Sequence, residues 1–348
     1  MLRGAALLGV FVENAQHFFS PGYRELVARP DAGLADHTAL WLIQVACENK
    51  VYALFALLFG YGIALQTARM GSRATSLHLW RMGILFLIGI FHQAYLWSGD
   101  ILATYALLGV LLLPFRARPT RELARAAWLA LAIPALALAA IVAWDSSFVL
   151  GAAASARVAG AVAAVGYPAR QFFFAFAMFL LGLAAGRARG EAGDPLRLLF
   201  RHLPLLAAVG IAGSLAHAAL VDLSGAPVLS WTAVLAETLI AVAAPALALA
   251  YAALLLRLHG RPRWQPALAP LAAAGRLSLT NYLAQSLIGA YLLARLGEIH
   301  PPAGIAIACA IYGLQVGVSW WWLRHFRFGP VEWLWRALSY GRLPPLRV

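Results

Sequence analysis

The chain has 348 residues, 62% of them hydrophobic and 12% charged, with a formal net charge of +13. A soluble domain of this length has no core that could hide so much apolar surface, which excludes a soluble globular fold. The positive charge does not indicate a nucleic-acid partner, because the arginines are spread over alternating connectors between apolar segments instead of forming a patch.

The first apolar segment, 4–20, is interrupted by Glu13. Glu13 and His17 lie four residues apart and share a helix face. A carboxylate there raises the basicity of the imidazole, as a general base requires, and a polar contact between helices is the plainer alternative. No cleavable leader precedes this segment, so it is expected to stay as an anchor. Residues 20–40 read as a polar connector broken by Pro21, Gly22, Pro30 and Gly33.

A second long apolar stretch, 41–68, contains Lys50, the only lysine among 27 basic residues. A charge at such a position costs about 2.5–3.5 kcal/mol on insertion scales and is kept for a partner or a task. In a continuous helix Glu48, two residues away, faces elsewhere, so the expected partner is Asp100 on another helix. Further spans are expected over 82–99, a short 101–115, 126–144, 171–186, 203–221, 238–256, 277–294 and 301–323. Most are near the roughly 17–25 residues that cross about 30 Å of hydrocarbon. Residues 145–169 read as an outer loop, either slack or folded over a site, and Gly190–Pro195 and Gly260–Pro266 as short connectors. After Gly329-Pro330 a short amphipathic helix is expected, with Trp333, Trp335 and Tyr340 suited to a headgroup layer.

The expected architecture is all-α and polytopic: one transmembrane domain over 1–348, about ten transmembrane helices, and a C-terminal interfacial segment over 329–348. Arg3, Arg69, Arg81, Arg276 and the arginines of the tail fall on one side of the spans. Arg24, Arg29, Arg157, Arg170 and Arg295 fall on the other. The positive-inside bias then places both termini in the cytoplasm.

Helical rise turns sequence offsets into depth. Asn14 lies eleven residues beyond Arg3 and His92 eleven beyond Arg81, about 16 Å from the arginine-rich face. Glu13 and Gln285 fall near that level. Lys50, Asp100 and Glu237 form a second layer about 28 Å up, and two stacked layers suggest a cavity opening outward. Ser278, Asn281, Tyr282 and Gln285 form one polar stripe, read either as glue between helices or as the lining of a site. Arg276 at its start could grip a phosphate or simply snorkel. There is no phosphate loop, no nucleophile elbow and no metal-spaced His/Cys cluster, so no metal is expected.

Several motifs carry a resemblance. They run from Arg3-Gly4-x-x-Leu7-Leu8-Gly9, ending in Asn14, through Lys50, Leu57-Leu58-Phe59-Gly60, Arg81 and His92 to Trp97-x-Gly99-Asp100-Ile101-Leu102. They close with Gly275-Arg276-Leu277-x-Leu279-Thr280-Asn281-Tyr282-Leu283 and Gly329-Pro330-Val331-Glu332-Trp333-Leu334-Trp335-Arg336. Through them nearly the whole chain resembles the YeiB-like family of bacterial multi-spanning membrane proteins, which carries domain of unknown function 418. That family is distantly similar to the transmembrane acyltransferases, including the type 3 and heparan N-acetyltransferase branches.

In type 3 enzymes a His eleven positions after the Arg of Leu-Arg-Gly is held to be essential. Here that position is Asn14, which cannot act as a base at neutral pH. His92 at the same depth is the substitute.

The resemblance implies an acyltransferase-like protein of the bacterial inner membrane. No cofactor would be permanently bound; acyl-CoA would be the donor, and a small molecule, lipid or glycan at the outer face the acceptor. In this scheme His92 is the base or acyl carrier, Asp100 orients it, and Lys50, Asn14 and Glu13 complete the catalytic set. Arg276, Arg81, Arg3, Asn281 and Gln285 hold the donor. A transporter or flippase of a small amphiphile, motivated by Lys50, Asp100 and Glu237, and a non-catalytic relative are the alternatives. The bilayer is the one assured partner, and the oligomeric state is left open, a homodimer included.

Overall fold

The structure, a computed structural model, describes residues 1–19, 32–70, 74–147, 152–188, 195–223 and 227–348. Among the described residues all regular structure is helical, apart from one isolated antiparallel bridge between Phe326 and Arg347. The helices are α1 (Leu2–Phe19), α2 (Leu34–Ala46), α3 (Lys50–Met70), α4 (Ala74–Tyr95), α5 (Leu102–Leu111), α6 (Thr120–Ser147), α7 (Ala152–Ala188), α8 (Pro195–Arg201), α9 (Leu203–Leu223), α10 (Trp231–His259), α11 (Gln265–Arg276), α12 (Ser278–Tyr291), α13 (Pro301–His325) and α14 (Pro330–Tyr340). Among the described residues seven stretches are long and apolar enough to cross a bilayer: 34–67, 75–95, 120–144, 155–188, 203–221, 231–259 and 301–325. The protein is an all-α, polytopic membrane protein. The three other expected spans are helical but short or polar: α1 with 18 residues, α5 with 10 and α12 with 14.

Four boundaries differ from those expected. The connector expected over 20–40 is helical from Leu34 onward, while Pro21, Gly22 and Pro30 lie outside the described residues. The span holding Lys50 is not continuous: α2 ends at Ala46, residues 47–49 turn, and α3 starts at Lys50. Asn49 there takes φ 65, a left-handed backbone that asparagine tolerates better than most side chains. The outer loop expected over 145–169 is helical from Ala152, because its alanine-rich stretch has high helix propensity and runs unbroken into the next span. The segment before 277 contains α11, a separate short helix that buries Ala273, Ala274 and Gly275. Arg24, Arg29, Arg73, Arg189 and the 190–194 connector lie outside the described residues.

The chain forms two compact units, residues 1–55, 67–111 and 254–348 in the first, and 56–66 and 112–253 in the second. In the first unit α1 is the hub. It packs against α11, α12 and α13, around a core of Leu7, Val10, Phe11, Ala15, Val51, Tyr282 and Ala308. Small residues permit the close approach. A Cβ on Gly4 would collide with the Leu271 carbonyl oxygen, and one on Gly9 with the Val51 side chain. In a membrane, where lipid competes equally for apolar contact, such backbone-to-backbone packing is what favours one helix arrangement over another. In the second unit α6 pairs with α7, and Arg187 donates to the carbonyls of Arg116 and Arg118 at 2.6 and 2.7 Å.

The Gly4 contact can be tested against a neutral site. Gly4→Ala forces a methyl group onto a carbonyl and is expected to cost about 1–3 kcal/mol, seen as a lower thermal midpoint in detergent. Gly83→Ala meets nothing within 4 Å and is expected to be neutral, or stabilising by about 0.5–1 kcal/mol as a helix-interior glycine is lost. Equal midpoints would remove the α1–α11 contact as a packing constraint.

Candidate functional site

The helix α4 ends because the amides of both Leu96 and Trp97 turn onto the His92 carbonyl at 2.9 Å. The chain then doubles back. Asp100 in this return caps the first turn of α5, its Oδ2 accepting the Ala103 amide at 2.8 Å. Its other oxygen, Oδ1, accepts from His92 Nδ1 at 2.8 Å. Neither side chain has solvent-exposed surface. A carboxylate on Nδ1 holds the proton there, which leaves the Nε2 lone pair as the reactive position. Among the described residues Nε2 is buried without a hydrogen-bond partner. The Tyr282 ring lies 5.2 Å from the imidazole, centroid to centroid, and its hydroxyl is in the field of Asp100.

This geometry corrects the depth reading. His92 and Asp100 were expected about 12 Å apart along one straight helix, but the helix stops at Tyr95 and the return loop brings Asp100 back onto His92.

Near the pair, two tyrosines link helices. Tyr52 on α3 donates to Asn14 Oδ1 on α1 at 2.7 Å, and Tyr105 on α5 donates to the Tyr52 carbonyl at 3.3 Å. Asn14, Tyr52, Tyr105, Tyr282 and His92 come from five helices, and Asp100 from the return between α4 and α5. Sequence reasoning passed over Tyr52 and Tyr105. The available signal was a phenol inside an apolar span, which needs a partner wherever lipid is the alternative.

Lys50 does not pair with Asp100. It is fully buried and its Nζ donates to the Gln44 carbonyl at 2.6 Å, a C-terminal carbonyl of α2 left without a helical partner by the break. An ammonium there meets the negative end of the α2 dipole. The carboxylates whose fields reach it are Glu48 and then Glu13. The argument from i, i+2 spacing fails because Glu48 is in the turn and not on the helix. Glu13 is buried on α1, while His17 is exposed and stands 6.5 Å from the Trp97 ring. Glu237 belongs to the second unit, where Arg170 Nη1 donates to it at 2.7 Å. Lys50, Asp100 and Glu237 therefore each have their own partner, which removes the motive for a transport route lined by the three.

The five residues expected to hold a donor are engaged with protein. Asn281 donates to the Ala274 carbonyl and to Ser319 Oγ at 3.2 and 2.9 Å. Gln285 donates to Gln315 Oε1 at 2.9 Å, so this stripe ties α12 to α13. Arg276 donates to the Arg327 carbonyl at 3.1 Å. Arg81 donates to the Tyr340 hydroxyl at 3.0 Å and lies 4.5 Å from the Trp335 ring centroid. The exposed Arg3 lies in the field of Glu332. Glu332 was passed over because its motif reads as a membrane anchor. Among the described residues no three His, Cys, Asp or Glu side chains are grouped as metal ligands.

Lys50→Met leaves the Gln44 carbonyl and the nearby carboxylates without their cation. The expected cost is about 3–5 kcal/mol, the scale of breaking a buried charge pair, measured as unfolding in detergent. An unchanged stability would show that the ammonium does not hold the break between α2 and α3.

Residues 191–342 match the family model described as protein of unknown function, DUF418. Over 99% of its length the chain is 30% identical to the uncharacterized protein YxaH of Bacillus subtilis (strain 168), covering 94% of that protein. It is 30% identical to the uncharacterized protein YeiB of Escherichia coli (strain K12), covering 99% of this chain and 96% of that one. A 39.9 kDa protein from the amylase 3' region of Bacillus acidopullulyticus is 28% identical over 99% of this chain and 94% of its own length. No solved structure matches. With its motifs spread over both ends and its relatives matched almost end to end, the chain belongs to the YeiB-like DUF418 family.

Proposed function

We propose that this protein is a transmembrane acyltransferase of the bacterial inner membrane, with both termini in the cytoplasm. It moves an acyl group from an acyl-CoA donor to an acceptor hydroxyl or amine at the outer face. One observation carries the reading: His92 is held by Asp100 through Nδ1 at 2.8 Å while its buried Nε2 has no hydrogen-bond partner among the described residues. An imidazole whose Nδ1 proton is held by a carboxylate has its Nε2 lone pair free to accept a proton, which is what a general base needs. The arginine bias between connectors and the bacterial relatives support the placement.

In this scheme Nε2 takes the proton of the acceptor as its oxygen or nitrogen attacks the thioester carbonyl. Asp100 stabilises the resulting imidazolium, which returns the proton to the departing thiolate. The oxyanion requires a donor. Lys50 and Asn14, members of the expected catalytic set, carry donor groups, but Lys50 is engaged by the Gln44 carbonyl. The Tyr282 hydroxyl, which has no hydrogen-bond acceptor among the described residues and whose ring lies 5.2 Å from the imidazole, is the donor we assign instead.

Full-length protein in nanodiscs, given radiolabelled acetyl-CoA and an amine or sugar acceptor, is expected to release CoA. His92→Gln should lower that release by about 100- to 10,000-fold, the worth of a general base. Asp100→Asn should lower it comparably, by favouring the wrong imidazole tautomer. Absence of CoA release and of acetyl-CoA binding, or full activity in His92→Gln, would sink the proposal.

A further inference from the structure

The C-terminal helix α14 covers two groups that call for an anion. At the head of α12 the amides of Leu279 and Thr280 and the Thr280 hydroxyl converge on one carboxylate, Glu332, at 2.7, 3.0 and 2.5 Å. The approach needs Gly329, where a Cβ would collide with that carboxylate. A helix N-terminus with converging amides and a hydroxyl binds carboxylate and phosphate alike. Here the occupant is supplied by the chain itself.

One turn along α14 from Glu332, Trp335 lies over Arg81. Arg81 is only 6% exposed. It has no carboxylate within ion-pair reach among the described residues. Its Nη1 meets the Tyr340 hydroxyl, and its Nε has no hydrogen-bond acceptor. A guanidinium buried without a counter-anion is costly, and the aromatic rings above it repay only part of that cost. The remaining bonds of α14 to α4 run from Trp80 Nε1 to the Leu338 carbonyl and from Trp335 Nε1 to the Arg81 carbonyl, at 2.9 and 3.2 Å. Both are bonds that water at a membrane surface can replace.

We propose that α14 is an internal occupant of an anion site. Glu332 stands where a phosphate-bearing ligand binds the head of α12, and such a ligand lifts α14 and gains Arg81 as its counter-ion. A phosphate carries more charge and more acceptor oxygens than one carboxylate, so it competes with Glu332 for the α12 head and attracts the guanidinium one helical turn away along α14. The inference is separable from acyl transfer, since it is read by binding and by exposure of the tail and needs no turnover.

The test is hydrogen exchange on the full chain in detergent with inorganic pyrophosphate. A parallel arm uses nanodiscs with and without phosphatidic acid, which distinguishes a soluble phosphate from a lipid headgroup. Amides over 330–340 are expected to exchange several-fold faster in whichever arm supplies the ligand. Where pyrophosphate is the active arm, calorimetry is expected to show Glu332→Gln binding it roughly tenfold or more tightly than the parent, the worth of one charge-assisted competitor bond. Where phosphatidic acid is the active arm, Glu332→Gln is expected to reach full tail exposure at a lower lipid fraction. Unchanged exchange in both arms overturns the proposal, and this readout on the parent protein holds even if the variant fails to fold. Faster exchange without an advantage for Glu332→Gln also overturns it, because the anion would then act elsewhere.

Discussion

Hydrocarbon offers no hydrogen-bond partner, so each polar group carried inward by these helices has to be met by another part of the chain. In the first unit that demand falls on α1. The Gly4 carbonyl accepts from Tyr312, Asn14 accepts from Tyr52, and the field of Glu13 reaches Lys50. These contacts exist only because glycines let the helices touch: Gly4 admits Leu271 of α11 and Gly9 admits Val51 of α3. Small side chains and buried polar contacts are therefore one device here. The first brings the backbones close enough for the second to reach.

Several buried polar groups make contacts that hold helices together or neutralise a charge. Lys50 terminates α2, and the Asn281, Gln285, Gln315 and Ser319 cluster fastens α12 to α13. Arg170 and Glu237 neutralise each other in the second unit. His92 differs in what is left over. Its unmatched atom is the one whose lone pair accepts a proton, and the opposite ring nitrogen is already held by a carboxylate that sets the tautomer. An unpaired amide oxygen has no such chemistry.

The two closing motifs, around Gly275–Leu283 and Gly329–Arg336, are halves of one contact. Glu332 of the second caps the helix that the first begins. Tyr282 lies two residues, about 3 Å of helix rise, beyond Thr280, and its ring faces His92. The tail therefore touches both helices that bear on the imidazole: α12, which carries Tyr282, and α4, which carries His92 and meets α14 through Trp80 and Arg81.

The membrane class and the helical content were legible in the residues, because apolar segment length and the cost of an isolated charge are local properties. Helix ends were not. Nothing in the 82–99 window announces that Leu96 and Trp97 turn onto the His92 carbonyl, and nothing around Cys47 announces the break that gives Lys50 its carbonyl. The sequence by itself determined which polar groups enter the bilayer, since hydropathy and spacing are carried by the chain. Which group meets which was decided only by the tertiary structure. A charge in hydrocarbon binds whatever the return of a loop or the break of a helix brings within 3 Å, and depth along an ideal helix does not encode that meeting.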